Sequence, residues 1–85
     1  MAEPVPTEYA STEFEVEIAN LFGRVIGSGR RIEAETNFFA AGGASIGALR
    51  VIGAIESELG VAITPRAFFA QPTPRELAAI VRHGR

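Results

Sequence analysis

The chain of 85 residues has room for one small domain, which buries a modest fraction of its surface. With no cysteine and one histidine, His83, it excludes a disulfide framework, a thiol nucleophile and a thiolate or multi-histidine metal site. Arginine and glutamate carry all the charge, and a net charge of -2 without a clustered basic face argues against nucleic acid, while no apolar run reaches membrane-spanning length.

Residues 1–10 contain Pro4 and Pro6, show no periodic pattern, and lack the basic start and apolar stretch of a signal peptide. They are expected to form a flexible leader, with the domain over 11–83, a tail at 84–85, and a cytoplasmic location. The first helix is expected to start at Ser11 or Thr12. Thr12 and Glu15 have capping-box spacing, and Glu13, Glu15 and Glu17 suit the positive end of a helix. Phe14, Ile18, Leu21, Phe22 and Val25 form one apolar face, and Gly27 and Gly29 offer a stop. Gly23, inside this pattern, is expected to weaken the end of the helix.

Residues 28–44 make a connection longer than helix pairs normally need, so it is expected to be functional and pinned to the bundle by Ile32, Phe38 and Phe39. Phe38 to Ala41 has the composition of a short helical turn before Gly42-Gly43. A second helix is expected from Ser45 to Leu59, with Gly60 just past its end and a buried stripe of Ile46, Leu49, Ile52, Ile55 and Leu59. Gly47 and Gly53 weaken it, and either offer places where another backbone or a ligand comes close or are simply tolerated.

Thr64-Pro65 reads as the cap and first position of a short helix carrying Phe68 and Phe69, which Pro72 ends. Thr73-Pro74-Arg75-Glu76 combines an N-cap threonine, an N1 proline and an N3 glutamate, and Leu77, Ile80 and Val81 then face inward. No strand pattern is present. The expected fold is all-α: a small four-helix bundle of three longer helices and one short one, with a long loop between helices 1 and 2.

Enzyme templates do not fit. A serine triad needs a histidine and a carboxylate beside the serine, and His83 lies at the far end of the chain. Glu56 and Glu58 point to different helix faces, and Gly42-Gly43 lacks the spacing of a phosphate-binding loop. Taken alone, Ser45 reads as a plain N-cap after a glycine turn, which leaves open a helical interaction module.

The wider order of motifs reverses that preference. Asn37-Phe38-Phe39, Gly42-Gly43, Ser45-Ile46, Glu58-Leu59-Gly60 and Phe69 to Pro72-Thr73 form one set covering about Thr12 to Arg82. The chain resembles the phosphopantetheine-binding carrier proteins, which are acyl-carrier-protein-like in fold, and among them the peptidyl carrier (thiolation) type of nonribosomal peptide synthesis. The resemblance implies a non-catalytic carrier with 4'-phosphopantetheine attached covalently to Ser45 by a phosphopantetheinyl transferase, and an aminoacyl or peptidyl thioester on the arm. It implies a monomer that meets an adenylation enzyme or domain and condensation, tailoring or thioesterase enzymes. An acyl or aryl carrier of polyketide-type biosynthesis is the alternative within the same family.

Four positions depart from the family pattern: Thr36 replaces an aspartate, Ala44 a histidine or aspartate, Gly47 a leucine and Leu49 a threonine. The family's partner surface maps to Ala44, Gly47, Ala48, Val51 and Phe68, with Val51 at the boundary between surface and core. The scarcity of acids before Glu56 favours apolar docking and the peptidyl type.

Overall fold

The structure, a computed structural model, describes residues 7–27 and 31–84, with side chains described from Glu13 onward. Its helices are α1 (Thr7–Ile26), α2 (Ser45–Leu59), α3 (Pro65–Ala70) and α4 (Pro74–Gly84). No strand occurs among the described residues. Most of the expected leader, Gly29 and Arg85 lie outside the described residues.

The first helix begins at Thr7, not at Ser11 or Thr12, so Thr12 lies within it and the expected capping box does not mark its start. Neither glycine nor proline occurs between Thr7 and Phe22, so nothing in that stretch interrupts the helical ladder. The helix ends before Gly27, whose N–H donates to the Gly23 carbonyl (2.9 Å). Ile18, Leu21 and Phe22 are buried as expected, with Phe14 and Val25 packed at the margin.

In α2 the ends match expectation and so does the second half of the stripe, where Ile55 and Leu59 are buried and Ile52 packs at the margin, but the first half does not. Gly60 takes the left-handed conformation (φ 77°) that lets it close the helix, donating its N–H to the Glu56 carbonyl. The buried residues are Gly47, Ala48, Val51, Ile55 and Leu59, whereas Ile46 and Leu49 are 67% and 54% exposed. Close approach of α1 is the reason. A Cβ on Gly47 would lie 2.9 Å from Val25 Cγ1 and 3.2 Å from Phe38 Cζ, so only small residues fit on that side of the first turn. The helix is therefore rotated, and larger side chains face outward.

Short-range capping holds the second half together. The Thr64 hydroxyl accepts from the Ala67 N–H (3.1 Å) at the start of α3. At α4 the Thr73 hydroxyl accepts from the Glu76 N–H (3.2 Å) and donates to the Glu76 carboxylate (3.0 Å). This is a one-sided version of the expected box, with the glutamate held by the hydroxyl. Thr73→Ala is expected to lower stability by about 1 kcal/mol in urea titrations, and Thr73→Ser to retain most of it. Leu77, Ala78 and Val81 are fully buried and Ile80 packs at the margin.

The long loop is tied to the start of α4. Phe38 N–H donates to the Pro72 carbonyl (2.8 Å) and Arg75 N–H to the Ala34 carbonyl (2.8 Å). The Arg75 guanidinium pairs with Glu35 of the loop and approaches Glu15 of α1 (4.0 Å). The exposed pair with Glu35 contributes little alone, so the two backbone bonds and the buried Phe38 ring set the loop's position. Phe38 is fully buried, and Ile32 and Phe39 pack against the core, as expected of pins.

Candidate functional site at the start of α2

The segment before Ser45 is built by local hydrogen bonds. Asn37 Oδ1 accepts from the N–H groups of Phe39 (2.9 Å) and Ala40 (3.0 Å), folding the chain back on itself. Ala41 N–H then reaches the Asn37 carbonyl (3.0 Å), Gly42 N–H that of Phe39 (3.1 Å), and Gly43 N–H that of Phe38 (2.9 Å). The expected turn over Phe38 to Ala41 is present as this tight hydrogen-bonded turn. Thr36, where the family resemblance leads to aspartate, still supplies a side-chain acceptor: its hydroxyl takes the Glu33 N–H (2.8 Å).

The two glycines have different causes. Gly42 has φ +108°, where L side chains are strained. Gly43 needs space: a Cβ there would lie 2.2 Å from Phe38 Cε2. Gly43→Ala must displace a buried ring, and a loss of about 1–3 kcal/mol is expected from chemical denaturation.

Ser45 is not the N-cap. Ala44 occupies that position (φ -111°, ψ 168°), no side chain caps the helix, and Ser45 is its first helical residue, exposed to solvent. The structural reading of this serine, which rests on capping, is therefore removed. The first intrahelical bond runs from Ala48 N–H to the Ala44 carbonyl (2.9 Å), so the N–H groups of Ser45, Ile46 and Gly47 precede the helical ladder. No acidic residue lies in the first turn. An uncapped, unneutralised helix start beside an exposed hydroxyl suits a phosphate ester, so the residues present fit a phosphopantetheine at Ser45.

The surface beside Ser45 differs from the expected one. Gly47, Ala48, Val51 and Phe68 are buried, so these four belong to the core, and of the expected set only Ala44 is exposed. The exposed large apolar residues on α2 and α3 are Ile46, Leu49 and Phe69, the last 47% exposed and stacked on Phe39 (centroids 5.1 Å apart, planes at 8°). Sequence reasoning placed Ile46 and Leu49 in the core; their three-residue spacing was correctly seen as one face, but the face turned outward. Among the described residues no His, Cys, Asp or Glu cluster suits a metal, and no helix is long and apolar enough to cross a membrane.

Residues 16–81 match the family described as "Phosphopantetheine attachment site". The chain is 35% identical to Tyrocidine synthase 3 of Brevibacillus parabrevis over 88% of its length, and 32% identical to Nonribosomal peptide synthetase 6 of Cochliobolus heterostrophus over 81%. It spans 1% and 4% of those proteins respectively. Among solved structures it is similar to a peptidyl carrier protein in complex with the phosphopantetheine transferase Sfp and coenzyme A, with TM-score 0.77, 29% identity, and coverage of 98% of this chain and 99% of that one. The match over most of the domain, together with the glycine turn and the exposed serine at the start of α2, establishes that the chain belongs to the phosphopantetheine attachment site family.

Proposed function

We propose that the chain is a peptidyl carrier domain, cytoplasmic and without catalytic activity of its own, that carries its cargo on a phosphopantetheine arm at Ser45. The observation that carries this reading is the placement of Ser45: exposed, first in α2, uncapped, and preceded by the Gly42-Gly43 turn. Its Oγ is the nucleophile toward the pyrophosphate of coenzyme A. The hydroxyl proton leaves to a base of the transferase as the phosphodiester forms and the nucleotide portion departs. The helix start would hold the phosphate beside its N–H groups, with no carboxylate in its own first turn to repel it. The arm supplies a thiol that holds an aminoacyl or peptidyl group as a thioester.

Partner enzymes (the transferase, an adenylation enzyme, and condensation, tailoring or thioesterase enzymes) dock on the apolar surface of Ile46, Leu49 and Phe69. That patch replaces the docking set expected from sequence. Apolar contact at the centre of a small interface is what gives such brief encounters their affinity. Incubation with coenzyme A and a broad-range transferase is expected to add one phosphopantetheine to the intact mass. Subsequent loading with amino acids in preference to acyl groups separates the peptidyl from the acyl type.

A further inference from the structure

The chain enters α2 through a stretch without a polar side chain. Residues 38–44 are phenylalanine, alanine and glycine throughout, so Asn37 brings the one side-chain hydrogen-bonding group to the turn that leads to Ser45. Its Oδ1 accepts from Phe39 N–H (2.9 Å) and Ala40 N–H (3.0 Å), whereas the N–H groups of Phe38, Ala41, Gly42 and Gly43 go to carbonyls. The side chain thus takes two donors that the backbone of the turn leaves over, and no neighbour in the turn can replace it.

Thr36 closes a different turn. Its hydroxyl accepts from Glu33 N–H (2.8 Å) and its N–H donates to the Glu33 carbonyl (3.0 Å). The loop is then fixed to the start of α4 by the Phe38 N–H bond to the Pro72 carbonyl (2.8 Å), with the Phe38 ring buried. That anchor separates the two side chains. Thr36 orders the chain before it, and Asn37 orders the chain after it, the part that ends in Ser45. Asn37 and Ala40 are exposed and Phe39 is half-buried. Without the Asn37 acceptor the freed N–H groups turn to water, so the domain as a whole loses little stability. The loss is local: residues 39–43 gain conformational freedom, and the entry into α2 is no longer held in one direction.

We infer that Asn37 is a positioning residue for the modification of Ser45: by closing the turn over Phe39 and Ala40 it sets where the Ser45 hydroxyl stands when phosphopantetheine is transferred. This rests on the carrier reading. In that step the bond from Ser45 Oγ to the phosphorus bearing the pantetheine forms, and the bond from that phosphorus to the bridging oxygen of the pyrophosphate breaks. The hydroxyl proton goes to a base of the transferase, and the adenosine bisphosphate portion of coenzyme A leaves. A nucleophile displaced by a fraction of an ångström to an ångström loses rate steeply, whereas binding through side chains of α2 and α3 is left in place. The effect of Asn37 therefore falls on kcat.

The test measures transfer from coenzyme A by the transferase Sfp, with the unaltered domain and its Asn37→Ala, Asn37→Asp and Thr36→Val variants as the varied substrate. Amide hydrogen exchange of the unmodified proteins is followed by NMR. Asn37→Ala is expected to lower kcat about five- to twentyfold with KM changed less than about twofold, and to speed exchange at Phe39 and Ala40 about tenfold. Its melting temperature should fall by no more than about 8 °C. Asn37→Asp keeps an acceptor at the same place and should return kcat to within about twofold. Thr36→Val should leave kcat unchanged. An unaltered kcat in Asn37→Ala would overturn the inference while leaving the carrier reading intact. So would an equal fall in Thr36→Val, no recovery in Asn37→Asp, or loss of cooperative melting in Asn37→Ala, since each makes the effect one of general loop or domain stability. No transfer to the unaltered domain at all would overturn the carrier reading, and this inference with it.

Discussion

Ser45→Ala is expected to abolish modification completely while leaving the fold intact. The side chain is exposed, caps nothing, and occupies the first position of α2, where alanine is readily accepted. The change in unfolding free energy should stay within about 0.5 kcal/mol, as for surface positions without a special role. Intact mass after incubation with coenzyme A and transferase reads the first effect, and a urea titration reads the second. The combination matters because a serine that served as an N-cap would show the reverse: stability lost by roughly 0.5–2 kcal/mol and no modification to lose. A phosphopantetheine mass gained by Ser45→Ala would move the attachment elsewhere, with Ser57, exposed on α2, as the first position to check.

Phe38→Ala is expected to produce the largest loss of stability in the domain. The ring is fully buried and meets three others: Phe22 at 5.0 Å, Phe39 at 5.3 Å and Phe68 at 5.4 Å between centroids, each nearly edge-on. It links α1, the long loop and α3, and both Gly43 and Gly47 close over it. Removing a buried phenylalanine costs about 3–5 kcal/mol. At roughly 0.05–0.15 kcal/mol per residue a domain of this length has only about 4–13 kcal/mol in total. The variant should unfold at much lower urea, or lack a cooperative transition. Any folded fraction should also be modified more slowly, because the turn that presents Ser45 rests on this ring. A variant that melts within a few degrees of the parent would show that the loop is held by its backbone bonds to Pro72 and Arg75, without need of the aromatic cluster.

The peptidyl carrier reading proposed above gains physical content from α2. Its first turn holds no acid, and the exposed residues there are apolar. A partner that recognises rows of carboxylates finds none before Glu56. The position where the family pattern has a leucine, Gly47, turns out to be internal, so that departure reports how closely α1 and α2 approach, and not a change of partner. Leu49, in contrast, lies on the exposed face, where a change of residue alters the surface and not the core.

The features legible in the sequence are those settled within three or four residues of chain. Thr64 and Thr73 cap their helices because hydroxyl and N–H are brought together by the first turn itself. Gly60 closes α2 and Gly42 takes the positive φ of its turn because few other residues tolerate those conformations. The ends of α2 follow from such local rules, whereas Ser45 read locally is a plain N-cap, a position that Ala44 takes, and only the order of motifs across the domain singles it out. What only the tertiary structure decided was orientation. Nearly every residue from Ile46 to Ile55 is apolar or small, so periodicity alone does not distinguish an inward stripe of Ile46 and Leu49 from one of Gly47, Ala48 and Val51. The close passage of Val25 and Phe38 selects the second, because a short distance between helices admits only small side chains at the contact and turns the larger ones to solvent. That same rotation exposes Ile46, Leu49 and Gly53 on the same helix as Ser45 and turns to solvent a face that the sequence pattern assigns to the core.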